Sequence, residues 1–145
     1  MSREPDFNDM KSDAYYDAQG NYCLSKLLII WVARHFDKEI KNKGINNVTV
    51  NVTHPGMVGS NFGKNTNKGC CVNLIYKIGS LFADSVEKGA ESEVFLAISP
   101  KVEGVSGKYY SNKCVEDQPK EKYYSLENEE KIWNYCCKIC KSYME

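Results

Sequence analysis

The sequence predicts an α/β fold, one edge of a larger doubly wound parallel sheet, and three observations carry that prediction. A long helical pattern runs from about Asp17 to Asn42. A β-branched alternating run follows, Val48-Thr49-Val50-Asn51-Val52-Thr53, and Pro55-Gly56 stops it. A second short strand, Gly107-Lys108-Tyr109-Tyr110-Ser111, returns only after further helical stretches. Strands joined through helices pair in parallel with a right-handed crossover. A parallel pair does not stand by itself, because such sheets need both faces covered and several neighbours. Two strands flanked by about four helices are therefore read as one portion of a wider sheet.

Each element has its own local signals. Residues 1–20 are polar and turn-rich, with Asp6, Asn8, Asp9, Asp13 and Gly20 spread through them, and read as a connection rather than a packed element. In the first helix Tyr22, Leu24, Leu28, Trp31 and His35 fall at helical steps. Leu27, Ile30 and Ala33 widen its apolar face, so burial on more than one side is expected. The stop lies near Lys41-Asn42-Lys43-Gly44, a glycine after basic residues. Gly59, Gly63, Gly69 and several asparagines make residues 57–69 a loop. An amphipathic helix is predicted over Cys71 to Phe82, with Val72, Ile75, Ile78, Gly79 and Phe82 near one face. A further helix, about Val86 to Ile98, stops before Pro100. The last begins near Ser125, a good N-cap, with Glu127, Glu129 and Glu130 complementing the helix dipole, and closes on Lys138 and Lys141.

Composition narrows the function classes. The 145 residues carry 19 basic and 19 acidic side chains, so no net field calls for nucleic acid or an anionic membrane. The longest unbroken apolar run, Leu27 to Ala33, falls far short of the roughly 20 residues a spanning helix needs. Seven cysteines include the adjacent pairs Cys70-Cys71 and Cys136-Cys137. An odd count without an apolar leader argues for reduced thiols in a cytosol-facing, reducing compartment. Cys137-Lys138-Ile139-Cys140 has metal-like spacing, but no second such pair exists and a structural zinc site assembles four ligands. No metal is expected. Asn47-Val48-Thr49 and Asn51-Val52-Thr53 match the glycosylation pattern inside a predicted strand and are read as coincidence.

The motif that carries chemistry is Tyr22-Cys23-Leu24-Ser25-Lys26. A tyrosine and a lysine at i and i+4 share one helix face. A carbonyl that receives a hydride needs a proton on its oxygen, and the reverse oxidation needs a base on the hydroxyl. A free phenol, with a pKa near 10, is a poor base at neutral pH, and a nearby ammonium favours its phenolate. Setting separates this pair from chance. A second match, Tyr109 to Lys113, runs from a strand into a turn, where i and i+4 share no helical face.

Tyr22-Cys-Leu-Ser-Lys26-Leu27-Leu28, Val48-Thr-Val-Asn-Val-Thr-His54-Pro55-Gly56, Glu87-Lys-Gly89-Ala90 and Gly104-Val-Ser-Gly107-Lys-Tyr109 follow one another in order, with Trp133 in the final helix. The set resembles the retinol dehydrogenase-like branch of the short-chain dehydrogenases/reductases, from about residue 6 to residue 140. The resemblance implies the C-terminal portion of a Rossmann-type sheet and an oxidoreductase that moves a hydride between NADP or NAD and a lipophilic alcohol or carbonyl, retinol- or retinal-like. It makes Tyr22 the general acid/base and Lys26 its activator and ribose anchor. Pro55 and Gly56 would shape the nicotinamide pocket, with Val58 and Ser60 bonding its carboxamide. Residues 61–85 would form a substrate-side lid with an apolar face around Ile75, Ile78 and Phe82. His54 reads as a turn and packing residue.

Parts of that machinery have no counterpart in these residues. The Gly-rich turn that seats a pyrophosphate on a helix N-terminus is one. The residue that selects NAD or NADP is another, and the serine that polarises the substrate oxygen is a third. Ser2 and Ser12 are the serines upstream of Tyr22, and neither follows a strand pattern, so no serine is assigned. Residues 1–145 are therefore expected to be a partial domain, N-terminally truncated and inactive or slow by itself. The competing expectation is a non-catalytic module that pairs with another copy through the Tyr22 helix.

Overall fold

A computed structural model describes residues 4–14, 16–59, 83–119 and 122–143. They form two compact units. The first comprises Met1–Val52, Gly104–Tyr109 and Gln118–Glu145, and the second Thr53–Glu103 and Tyr110–Asp117. The described elements are α1 (Ala18–Asn42), β1 (Val52–Thr53), α2 (Val86–Ile98), β2 (Tyr109–Tyr110) and α3 (Leu126–Cys140), with single 3-10 turns at Pro100–Val102 and Lys141–Tyr143. The predicted Cys71 to Phe82 helix lies outside the described residues.

In the first unit, Asp17 caps α1 by accepting the backbone N–H groups of Gln19 and Gly20. Gly44 closes it, its N–H donating to the Lys41 carbonyl at 2.9 Å. Leu24, Leu27, Leu28, Ile30 and Trp31 of α1 form the core with Ile132 of α3. Burying each such aliphatic side chain contributes about 1.5–3 kcal/mol. Trp31 is fully buried, edge-on to Tyr124 at 5.7 Å.

One polar cluster ties α1 to α3. Glu129 is buried, and its carboxylate takes hydrogen bonds from Lys38 Nζ at 2.6 Å, His35 Nδ1 at 3.3 Å and the Tyr124 hydroxyl at 2.7 Å. Burial alone would raise the Glu129 carboxyl, but the bonds from Lys38, Tyr124 and His35 and the Lys38 charge hold it below the usual carboxylate range. Trp133 stacks on His35 at 4.9 Å and on Phe36 at 6.0 Å along the same seam.

β1 and β2 form a two-stranded sheet. The Val52 N–H donates to the Lys108 carbonyl at 2.8 Å, and in the second unit the His54 N–H donates to the Tyr110 carbonyl at 3.2 Å. Both strands advance together, so the pair is parallel, as the sequence predicts. The strand is shorter than the predicted Val48 to Thr53. Side chains take the backbone groups a longer ladder would use. The Val50 N–H donates to Ser106 Oγ at 2.7 Å, and Asn51 bonds the Val105 carbonyl and the Lys108 N–H. The Ser106 hydroxyl in turn donates to Asp37 of α1, which also takes Lys41 Nζ at 2.7 Å. Burial would raise Asp37, but these two bonds and the Lys41 charge leave its carboxyl below the ordinary value.

The N-terminal stretch departs from the prediction in one respect. Its turns are present, yet Phe7 and Met10 pack against the core and Ser12 is buried. Polar composition hid two apolar anchors.

In the second unit, Ser85 caps α2 by accepting the Lys88 N–H, and Ser99 caps the 3-10 turn that follows. Gly89 and Ser92 are the buried residues of α2. Phe95 lies against Tyr110 with ring centroids 6.1 Å apart.

Candidate active site

The first turns of α1 carry Tyr22 and Lys26. Lys26 Nζ lies 5.5 Å from the centre of the Tyr22 ring, so the i, i+4 face inferred from spacing is formed. The Ser25 hydroxyl donates to the Tyr22 carbonyl at 2.8 Å, one turn back along the helix. Leu24, Leu27 and Leu28 are buried in the core, while Tyr22 is 48% exposed. The pair therefore rides on a helix held from behind, with its ring reachable from outside.

In the second unit the chain turns at His54-Pro55-Gly56. Gly56 has φ +74°, the left-handed region that glycine enters without strain. Its N–H donates to His54 Nδ1 at 3.1 Å, so His54 acts here as a turn residue. Asn112 closes the other side and would collide with any side chain at position 56. Asn112 Nδ2 also reaches Asp84 Oδ2 at 3.4 Å, and Asp84 holds Lys88 Nζ at 2.6 Å. That bond and the Asp84 charge raise the Lys88 ammonium.

Val58 pairs with Asp84 in a parallel bridge. The bridge uses the Met57 carbonyl and the Gly59 N–H, both bonded to Asp84, at 2.8 and 2.9 Å. The N–H and C=O of Val58 itself therefore face away from Asp84. The Val58 side chain packs onto Gly89 of α2, where a Cβ would overlap it. The site residues thus fall into two groups: Tyr22 with Lys26 in the first unit, and Pro55, Gly56 and Val58 in the second. Ser60 and nearly all of the expected lid, residues 61–85, lie outside the described residues. Ser12 sits in a turn at φ +59° with its hydroxyl donating to Asn21 Oδ1 at 3.2 Å.

Sequence reasoning named Gly89 only as part of a motif and did not name Asp84 or Asn112. A glycine inside a helical pattern is itself a signal of close approach, and here it marks the Val58 contact. Asn112 carries no signal of its own.

Among curated proteins, the chain is 33% identical over 129 residues to human retinol dehydrogenase 14, covering 88% of this chain and 37% of that protein. It is 29% identical over 133 residues to bovine retinol dehydrogenase 12, covering 92% and 40%. The chain belongs to the retinol dehydrogenase-like short-chain dehydrogenases. Human polyprenol dehydrogenase is a further relative, 27% identical over 137 residues, covering 94% of this chain and 40% of that protein. This short-chain dehydrogenase segment aligns with the C-terminal portions of these proteins and spans less than half of their length. No family model and no solved structure matches it. Among the described residues, no helix is long and apolar enough to cross a membrane, and no cluster of three or more potential metal ligands occurs.

Proposed function

We propose that the chain supplies the proton-transfer half of an NADP- or NAD-dependent oxidoreductase acting on a lipophilic alcohol or carbonyl of the retinol/retinal type. The observation that carries this reading is the Lys26 ammonium held over the Tyr22 ring on a half-exposed helix face. The bound nicotinamide would supply or accept the hydride. Tyr22 donates a proton to the substrate oxygen in reduction and takes it back in oxidation. Lys26 favours negative charge on that phenol and hydrogen-bonds a ribose hydroxyl. Pro55 and the Gly56 turn shape the nicotinamide side, and the outward backbone groups of Val58, with Ser60, bond its carboxamide. The retinol and polyprenol dehydrogenases among the relatives support a long apolar substrate.

The 145 residues contain no Gly-rich phosphate turn, and no serine is assigned to polarise the substrate oxygen. Such polarisation is worth a few kcal/mol in a transition state. By itself the chain is therefore proposed to bind cofactor weakly and turn over slowly. Titration with NADPH, followed by fluorescence of the reduced nicotinamide, tests the binding half. Saturable binding that weakens in Lys26→Ala supports the proposal. A signal that never saturates contradicts it.

A second reading rests on a different observation. Tyr22, Ile29 and Phe36 recur every seven residues along α1 and are 48%, 58% and 44% exposed. That stripe supports pairing of two copies through the Tyr22 helix, with the chain acting as a non-catalytic module.

A further inference from the structure

The cysteines at the end of α3 take no part in the proposed chemistry, and the structure sorts them by environment. Cys136 packs against the core cluster, and burial, followed by the nearby Cys140 and Cys137, pushes its thiol up. Cys137 is half-buried and Cys140 is exposed, and all three are free thiols. From Lys138 to Tyr143 every side chain is exposed. Cys137, half-buried like Cys136 but outside the core cluster, therefore lies one helical turn before the exposed Cys140.

Geometry decides what Cys137 and Cys140 can do. Residues at i and i+3 of an α-helix have Cα atoms about 5 Å apart, inside the 4.4–6.8 Å span of a disulfide. Their Cβ atoms, however, stand about 5–6 Å apart, against the roughly 3.5–4.5 Å that the bond requires. An intact helical turn cannot close it. The turn must open, and here opening is cheap. Opening exchanges the terminal carbonyl bonds, those of the 3-10 turn Lys141–Tyr143 included, for bonds to water, and no side chain from Lys138 to Tyr143 is buried.

We propose that Cys137 and Cys140 form a reversible disulfide that opens the last turn of α3, a thiol–disulfide switch driven by a small-molecule disulfide of the glutathione type. The exposed Cys140 thiolate attacks one sulfur of glutathione disulfide, forming a mixed disulfide and expelling one glutathione thiolate. The Cys137 thiolate then attacks the Cys140 sulfur and expels the second. Two electrons leave the protein sulfurs and reduce one glutathione disulfide to two glutathione thiols, which carry away the two protons. Because the bond competes with helix formation, it is strained and easily reduced, the behaviour of a labile rather than a structural disulfide. Cys136 stays outside the exchange because it packs against the core cluster, which Cys137 and Cys140 do not.

The full chain, reduced and then equilibrated in glutathione buffers of increasing oxidised fraction, tests this by intact mass and tryptic mapping. Trypsin cuts after Lys131, Lys138 and Lys141, so the disulfide would join the peptide Ile132–Lys138 to Ile139–Lys141. The expected result is a reversible loss of two hydrogens per chain with that peptide pair linked. Cys136→Ser should retain the link, and Cys137→Ser and Cys140→Ser should each abolish it. Hydrogen exchange should speed at the amides of the last turn on oxidation and stay unchanged around Glu129. A glutathione adduct that persists on Cys140, a link that requires Cys136 or any other cysteine, or oxidation without faster exchange would each overturn the proposal. Cys140→Ala, a change at an exposed site, keeps the test interpretable if a serine variant fails to fold.

Discussion

Lys38 of α1 and Glu129 of α3 are joined by a 2.6 Å ion pair, and the carboxylate end of that pair is almost completely shielded from water. A surface ion pair contributes little, but a buried carboxylate left without its cation is costly. His35 and Tyr124 donate to it as well, one to each oxygen. Glu129→Gln removes the charge and keeps the shape, and is expected to destabilise the first unit by about 2 kcal/mol. Urea unfolding of the two proteins side by side checks this, with an unchanged midpoint as the contrary result.

The same carboxylate sets an acid limit. The folded-state values of Glu129 and Asp37 lie below their ordinary ones, so the unfolded chain binds more protons than the folded chain as pH falls. Their contribution is complete above the ordinary carboxylate range, near pH 4–4.5, and is lost as pH drops through the lowered folded values. Stability measured from pH 6 downward should hold to about that range and then fall. In Glu129→Gln the fall should be shallower.

Gly89 is predicted to be intolerant of a methyl group. Its α2 backbone lies against Val58, so Gly89→Ala overpacks the contact that orients the Val58 strand. The expected cost is about 1–3 kcal/mol, against the gain that alanine ordinarily brings inside a helix. Thermal unfolding decides the sign.

If α1 pairs two copies, Ile29→Glu places a charge in the middle of the exposed stripe. Sedimentation should then show a monomer where the unmodified chain shows a dimer. A monomer in both cases removes the pairing reading.

What could be read from sequence was local. The Lys41 to Gly44 stop and the Ser125 cap mark helix ends because each is decided within a few residues, and the structure ends α1 and begins α3 there. The Tyr22–Lys26 face was legible for the same reason, since helical spacing alone brings the side chains together. Strand length was not legible. Ser106 and Val105 take the Val50 N–H and the Asn51 side-chain amide from more than fifty positions away. The sequence places Glu129 only as a charge complementing a helix dipole, whereas tertiary packing makes it a buried hub. Asn112 closing the Gly56 turn follows only from where the second strand returns.

Deuteride transfer to a lipophilic aldehyde shows whether Tyr22 moves a proton in a working site. The chain is incubated for a long period with deuterium-labelled NADPH and a retinal-type aldehyde, and the alcohol is analysed by mass spectrometry. The expected result is slow formation of singly deuterated alcohol that falls to background in Tyr22→Phe and survives in Ser12→Ala. Equal deuterium incorporation by Tyr22→Phe and the unmodified chain, or none by either, would contradict it.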